Sequence, residues 1–151
     1  SLYWYGVLIE PIPFLFTQLK DNYYDERNRL IFLNIAISSD DDSCKILYTI
    51  DESRRREVPD WYFQLASFKK EGLFHHDIPN VDSYIKPISV PTLPIQRIIN
   101  DHMEGRIDLL HIDAEGYDLE IVKTVDFTKS APKIILVEYL HLDVAERKRL
   151  L

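Results

Sequence analysis

An α/β fold built on a mostly parallel sheet is what this sequence of 151 residues predicts, and three observations predict it. Short apolar runs of strand length recur at 5–9, 30–38, 107–112 and 133–137, with helical spacing between several of them, which is the alternation of parallel strands joined by helices. The runs are nearly continuous in Val, Ile and Leu, as strands covered on both faces are. Three of them end in an acid, Glu10, Asp113 and Glu138. In a parallel sheet such ends lie along one edge, and ligands of open α/β sheets bind beyond that edge.

Composition fits one domain over residues 1–151. The chain is 46% hydrophobic and 28% charged, enough apolar material for a core. A formal charge of −7 argues against a general nucleic-acid binder, which needs clustered Lys and Arg. No apolar run approaches the roughly 20 residues of a membrane helix. Cys44 is the single cysteine, so no internal disulfide can form, and a reducing compartment, the cytoplasm, is expected. The chain opens directly in apolar sequence at Ser1-Leu2-Tyr3 and closes inside a helical pattern at Val144–Leu151, and reads as a piece of a longer protein.

In order, Tyr5 to Ile9 reads as a buried strand, and Pro13 suits the first turn of a helix over 14–21, with Leu15 and Leu19 on its inner side. Residues 30–38 read as a second strand, 40–43 as a polar turn and 45–50 as a returning strand. Arg54, Arg55 and Arg56 are flanked by acids, so a solvated loop is preferred over a phosphate site. The aromatic run Trp61–Phe68 reads as a short helix packed on the core, with a lid over a ligand as the alternative. His75 and His76 fall in a polar connection, and 82–90 is strand-like. Thr92 and Pro94 start a helix with Ile98, Ile99 and Met103 inward, closed by Glu104-Gly105-Arg106. The strand 107–112 reads as buried on both faces. After Gly116 an amphipathic helix carries Leu119, Val122 and Val125, and 133–137 is a further buried strand.

The run IDLLHIDAEGYDLEIV from Ile107 resembles the hallmark segment of the FkbM-type methyltransferases, whose pattern is IDLLKIDVEGAELEVLKG. PKIILVEY from Pro132 is similar to the strand that follows it there. GVLIEPIP from Gly6 resembles the family's G-x-x-x-E-P-x-P, NIAIS from Asn34 its N-x-A-x-S strand, and VPTL from Val90 also has a counterpart. The resemblance runs in order from about residue 6 to residue 140. It implies a Rossmann-like class I methyltransferase sheet that uses S-adenosylmethionine to methylate hydroxyl groups of sugars or natural products. It also implies that the family's opening strand and Gly-rich turn, and its C-terminal strands, lie outside this chain, which alone would then be inactive. His111 stands where the family usually has Lys, so no role carries over to it.

By that resemblance Glu10 accepts the hydroxyls of the cofactor's ribose, with Pro11 beside it and Ala36 and Ser38 near the adenine. As plain chemistry, a carboxylate at a strand end can take two such hydrogen bonds, or can simply favour the start of the next helix. Asp113 is the candidate base or acceptor-positioning group, with Glu115 orienting it or binding substrate; the alternative is that Asp113 caps the next helix. Glu138 and His141 are candidates for binding the acceptor, a small-molecule or glycan hydroxyl. Two rival functions stay open. His111, Asp113 and Glu115, spaced i, i+2, i+4, would share one strand face and suit a metal-dependent hydrolase. A methyltransferase-like fold without activity could instead serve as an interaction module.

Overall fold

The computed structural model describes residues 4–39, 43–76 and 78–138; the turn at 40–42, His141 and the segment 144–151 lie outside the described residues. The chain is α/β, as expected, but its strands form three hydrogen-bonded sheets. Strand β1 (Gly6–Ile9) pairs in parallel with β2 (Leu30–Leu33), Gly6 opposite Leu30. Helix α1 (Pro13–Asn22) joins them, with Pro13 in its first turn, where a missing N–H costs nothing. Strand β7 (Leu109–Ile112) pairs in parallel with β8 (Ile134–Val137), joined through helix α3 (Asp118–Lys123).

In chain order, between these pairs come four strands that form one sheet, in the order β3-β6-β4-β5. Its members are β3 (Ala36–Ile37), β4 (Cys44–Ile50), β5 (Ala66–Ser67) and β6 (Ile85–Leu93). Only β3 and β6 run parallel; β4 is antiparallel to both its neighbours. The expectation of a mostly parallel sheet is corrected to one that is parallel in part. The connection from β3 to β4 is too short for the crossover of a dozen or more residues that parallel strands require, so the chain reverses. Strand β6 holds Pro87 and Pro91 in a central position. Thr92 N–H donates to Ser43 O at 3.2 Å, so the even-numbered residues face β4, and prolines of the other parity owe β4 no donor.

Other boundaries shift for local reasons. The single strand expected over 30–38 breaks at Asn34, whose side-chain amide donates to Glu10 O at 2.8 Å and Pro11 O at 3.1 Å. The strand read over 82–90 starts three residues later, because Val81–Ser83 is a 3₁₀ turn. Helix α2 (Ile95–Met103) follows Pro94 and buries Ile95, Ile98 and Ile99. It closes on Glu104 at φ 50° and Gly105 at φ 74°, with Gly105 N–H on Ile99 O, a left-handed C-terminal close. Leu15 and Leu19 on α1 are only half-buried. The aromatic run divides: Phe63 is core, whereas Trp61 is exposed.

The core falls into three clusters. Ile50, Phe63, Leu65 and Leu73 pack under the β4–β5 edge. Ile12, Ala36, Leu47 and Val90 join α1 to the central sheet. Ile95, Ile99, Leu110, Ile112, Ile121 and Val125 bind α2 and α3 to β7, and Ile9 and Ile37 pack against this cluster from the other sheets. The strand at 107–112 is not buried on both faces: Leu110 and Ile112 are buried, while Leu109 is 41% exposed and His111 is exposed. In β8, Ile134 and Leu136 are likewise open at 56% and 50%. Among the described residues, α2 and α3 pack on the Leu110 and Ile112 face of β7 and no helix covers the other, which gives β7 the period-two burial of a one-sided strand; β8 is open on both faces, Ile135 included at 39%.

Candidate functional site

A cavity of about 700 Å³ opens between β1 and β7, within the size range of small-molecule sites. Consecutive residues of both strands line it, so each turns an edge toward it, and β2 and β8 occupy the opposite edges. Past the strand ends the wall includes Glu10, Pro11, Ala36, Asp113 and Glu115, and it is completed by Phe68 and Tyr117. Among the described residues that wall carries the carboxylates Glu10, Asp108, Asp113 and Glu115 against a single guanidinium, Arg106. Such a lining favours a ligand with positive charge.

Glu10 is fixed through both its side chain and its backbone. Its Oε1 accepts the Ile12 N–H at 2.8 Å, and Asn34 grips the carbonyls of Glu10 and Pro11. Burial pushes its carboxyl above the usual glutamate value of 4.5, an effect that the Ile12 N–H partly offsets. With Oε1 engaged, Oε2 and the remaining lone pairs can still accept from a ligand. Asn34 is a site residue that the strand pattern did not reveal, because its side chain works on backbone carbonyls rather than on the cavity.

Asp113 is exposed and its side chain makes no hydrogen bond to the described residues, so its carboxylate is available at the cavity mouth. It does not cap the following helix. Nor does any side chain cap it: Asp118, the first residue of α3, is 1% exposed and turns back to accept the Ala114 N–H at 3.0 Å and the Gly116 N–H at 3.1 Å of the preceding turn. Between them the chain makes a tight turn, Tyr117 N–H to Ala114 O at 3.0 Å. Its two central residues, Glu115 and Gly116, have φ of 49° and 91°, the signature of a type I′ turn. A left-handed glutamate costs about 1–2 kcal/mol, and such outliers gather at functional sites.

Tyr117 then ties this turn to the opposite wall. Its ring meets Phe68 edge-on at 5.1 Å, and its hydroxyl lies 3.4 Å from Ser39 Oγ. Ser38 is fully buried behind the wall that Ala36 forms. Glu138 is half-buried and lies outside the lining, one strand over from Asp113, with its N–H on Ile112 O at 3.2 Å. His111 lines the cavity on the exposed face of β7. The left-handed turn at Glu115 ends the extended run that would have aligned His111, Asp113 and Glu115. No group of three His, Cys, Asp or Glu side chains suited to a metal ion forms among the described residues.

Two of the three arginines pair within their own loop. Arg54 binds Glu57 through two nitrogens and lies over Tyr84, and Arg55 pairs with Asp60, which fits the reading of a solvated loop. No helix among the described residues is long and apolar enough to cross a membrane.

A family model described as the methyltransferase FkbM domain matches residues 2–149 of this chain. No curated protein and no solved structure matches it.

Proposed function

This chain belongs to the FkbM methyltransferase domain family, and from that premise we propose that its cavity binds S-adenosylmethionine and serves O-methylation of a sugar or natural-product hydroxyl. The observation that carries the reading is the gathering of Glu10, Asp113 and Glu115 on the wall of one cavity between β1 and β7. Glu10, held by Ile12 and Asn34, is the ribose acceptor, with Pro11 beside it. Ala36, and Ser38 behind it, mark the adenine end, where a small side chain leaves room for a flat base. The acidic wall favours a cationic sulfonium. When bound, the cofactor supplies an electrophilic methyl group.

A hydroxyl is a poor nucleophile until its proton is accepted. Asp113, exposed at the mouth, takes that proton or orients the acceptor, help worth roughly 10²–10⁴-fold. Glu115 stands next to it on the turn, and Glu138 and His141 (the latter outside the described residues) bind the acceptor. Much of the remaining acceleration in a displacement of this kind comes from holding the two reactants in line. Among the described residues β1 and β7 each leave an edge unpaired on this cavity, so its part between the strands suits one further parallel strand, such as the opening strand implied by the family resemblance, and the ligand takes the part beyond the strand ends.

Calorimetric titration of the whole protein with S-adenosylmethionine tests the reading. Glu10→Ala should weaken binding by about 1.5–3 kcal/mol, the worth of hydrogen bonds to a charged group. An unchanged affinity removes Glu10 from the site, and no binding to the wild type removes the cofactor.

A further inference from the structure

Among the described residues Asp118 meets no cation and does not line the cavity, yet it is one of their most deeply buried side chains. Burying a carboxylate is costly unless hydrogen bonds replace its water. Here both oxygens are used on the backbone: Oδ1 takes the Ala114 N–H and Oδ2 the Gly116 N–H. Those two amides stand on either side of Glu115, the residue held at φ 49°. An Asn or Gly at 115 would adopt that conformation with little strain; the sequence instead places a bulky acid there and ties both flanking amides. The same turn carries Asp113 at its entry, and at its exit Tyr117 is fastened to Phe68 and Ser39. Fixing the turn therefore fixes the acidic mouth of the cavity relative to its aromatic wall.

We infer that Asp118 is a positioning residue, a buried clamp that holds the 114–117 turn in its left-handed form and so aims Asp113 and Glu115 at the ligand. In its functional part this rests on the reading of the cavity as the methyl-donor site; the clamp itself does not. Its oxygens touch no ligand, and its effect reaches the site through Glu115.

A double-mutant cycle in urea, read on the whole protein, tests the clamp without any ligand. Asp118→Asn replaces one acceptor by a donor and should lower the unfolding midpoint in the wild-type background by about twice the drop in the Glu115→Gly background or more, because glycine no longer needs to be held. Equal drops overturn the clamp. If Asp118→Asn does not fold, hydrogen exchange on the wild type decides: the Ala114 and Gly116 amides should exchange roughly tenfold or more slowly than the same amides in an unstructured peptide, and exchange at the unstructured rate overturns it.

The aiming role is read from two ligands. Asp118→Asn should weaken S-adenosylmethionine more than S-adenosylhomocysteine, which lacks the sulfonium charge, shifting their affinity ratio by roughly fivefold, the low end of ordinary coupling between sites. A merely structural role would weaken both alike and overturn the aiming role. A wild type that binds neither ligand defeats the methyl-donor reading and with it the aiming role, while the urea cycle still judges the clamp.

Discussion

Glu10 is under two opposed demands. Burial raises its pKa above 4.5, so in the empty protein its ionisation works against folding. A carboxyl whose folded pKa is raised adds stability below its unfolded pKa, and that stability is lost as pH rises through the folded value. Glu10→Gln, which keeps an oxygen for the Ile12 N–H, should therefore leave the apo protein at least as stable as wild type at pH 7 while weakening S-adenosylmethionine. Thermal melts at pH 4 and pH 7 check the first half: a variant less stable at pH 7 means that the carboxylate is supported by more than Ile12. Cofactor affinity should fall on acidification through the pKa of Glu10, because only the carboxylate accepts two hydroxyl donors, and Glu10→Gln should flatten that profile. Asp113 makes the complementary case. It is exposed and holds no structural hydrogen bond among the described residues, so Asp113→Asn should cost roughly 10²–10⁴ in methyl transfer with little change in melting temperature or cofactor affinity. Loss of folding would make it a structural residue.

At the scale of elements, the approach to β8 is set by a relay that the apolar pattern does not contain. Gln96 on α2 accepts the Asp126 N–H at 2.8 Å and donates to Ser130 Oγ at 3.0 Å. Ser130, 2% exposed, donates its own O–H to Gly105 O at 2.7 Å. The relay pins the loop between α3 and β8 to the first turn of α2 through Gln96 and to the residue pair that closes α2 through Gly105, and so bears on the register of β8 against β7. Ser130→Ala removes the donor to the carbonyl of the half-buried Gly105 and should cost about 0.5–1.5 kcal/mol, measured by denaturant unfolding; no measurable loss would mean that water replaces the hydroxyl. Ile112→Ala, in the cluster shared by α2, α3 and β7, should cost about 2–5 kcal/mol and loosen the turn that follows. The sequence separates these two kinds of residue poorly. Ile112 is legible from its apolar run, whereas Gln96 and Ser130 look like ordinary surface residues until the fold brings them together.

At the scale of the molecule, the cavity is bounded by strand pairs that share no ladder among the described residues, β1–β2 on one side and β7–β8 on the other. A ligand touching Glu10 and Asp113 bridges them. Saturation with S-adenosylmethionine at a hundred times its dissociation constant should stabilise the protein by about 2.7 kcal/mol, with hydrogen-exchange protection rising in β1 and β7 together. Protection confined to one pair would mean that the ligand does not span the slot.

The sequence alone determined the α/β class, the places of β1, β4, β7 and β8 to within a residue or two, the start of α2 at Pro94, and the acids worth examining, because periodicity, proline and glycine act locally. It misjudged what depends on neighbours. A run of Ile and Leu reads the same whether one face or two are covered, so the openness of Leu109, Ile134 and Leu136 waited on the packing of α2 and α3. The break at Asn34 came from side-chain hydrogen bonds to Glu10 and Pro11 that no window of sequence displays, whereas the return of the chain at β4 was legible from the polar turn before it. Most of all, the tertiary structure decided which acid does which work. Asp113 and Asp118 are the same residue type five positions apart, and only the left-handed turn at Glu115, with the two amides it presents, sends one carboxylate to the cavity and buries the other beneath it.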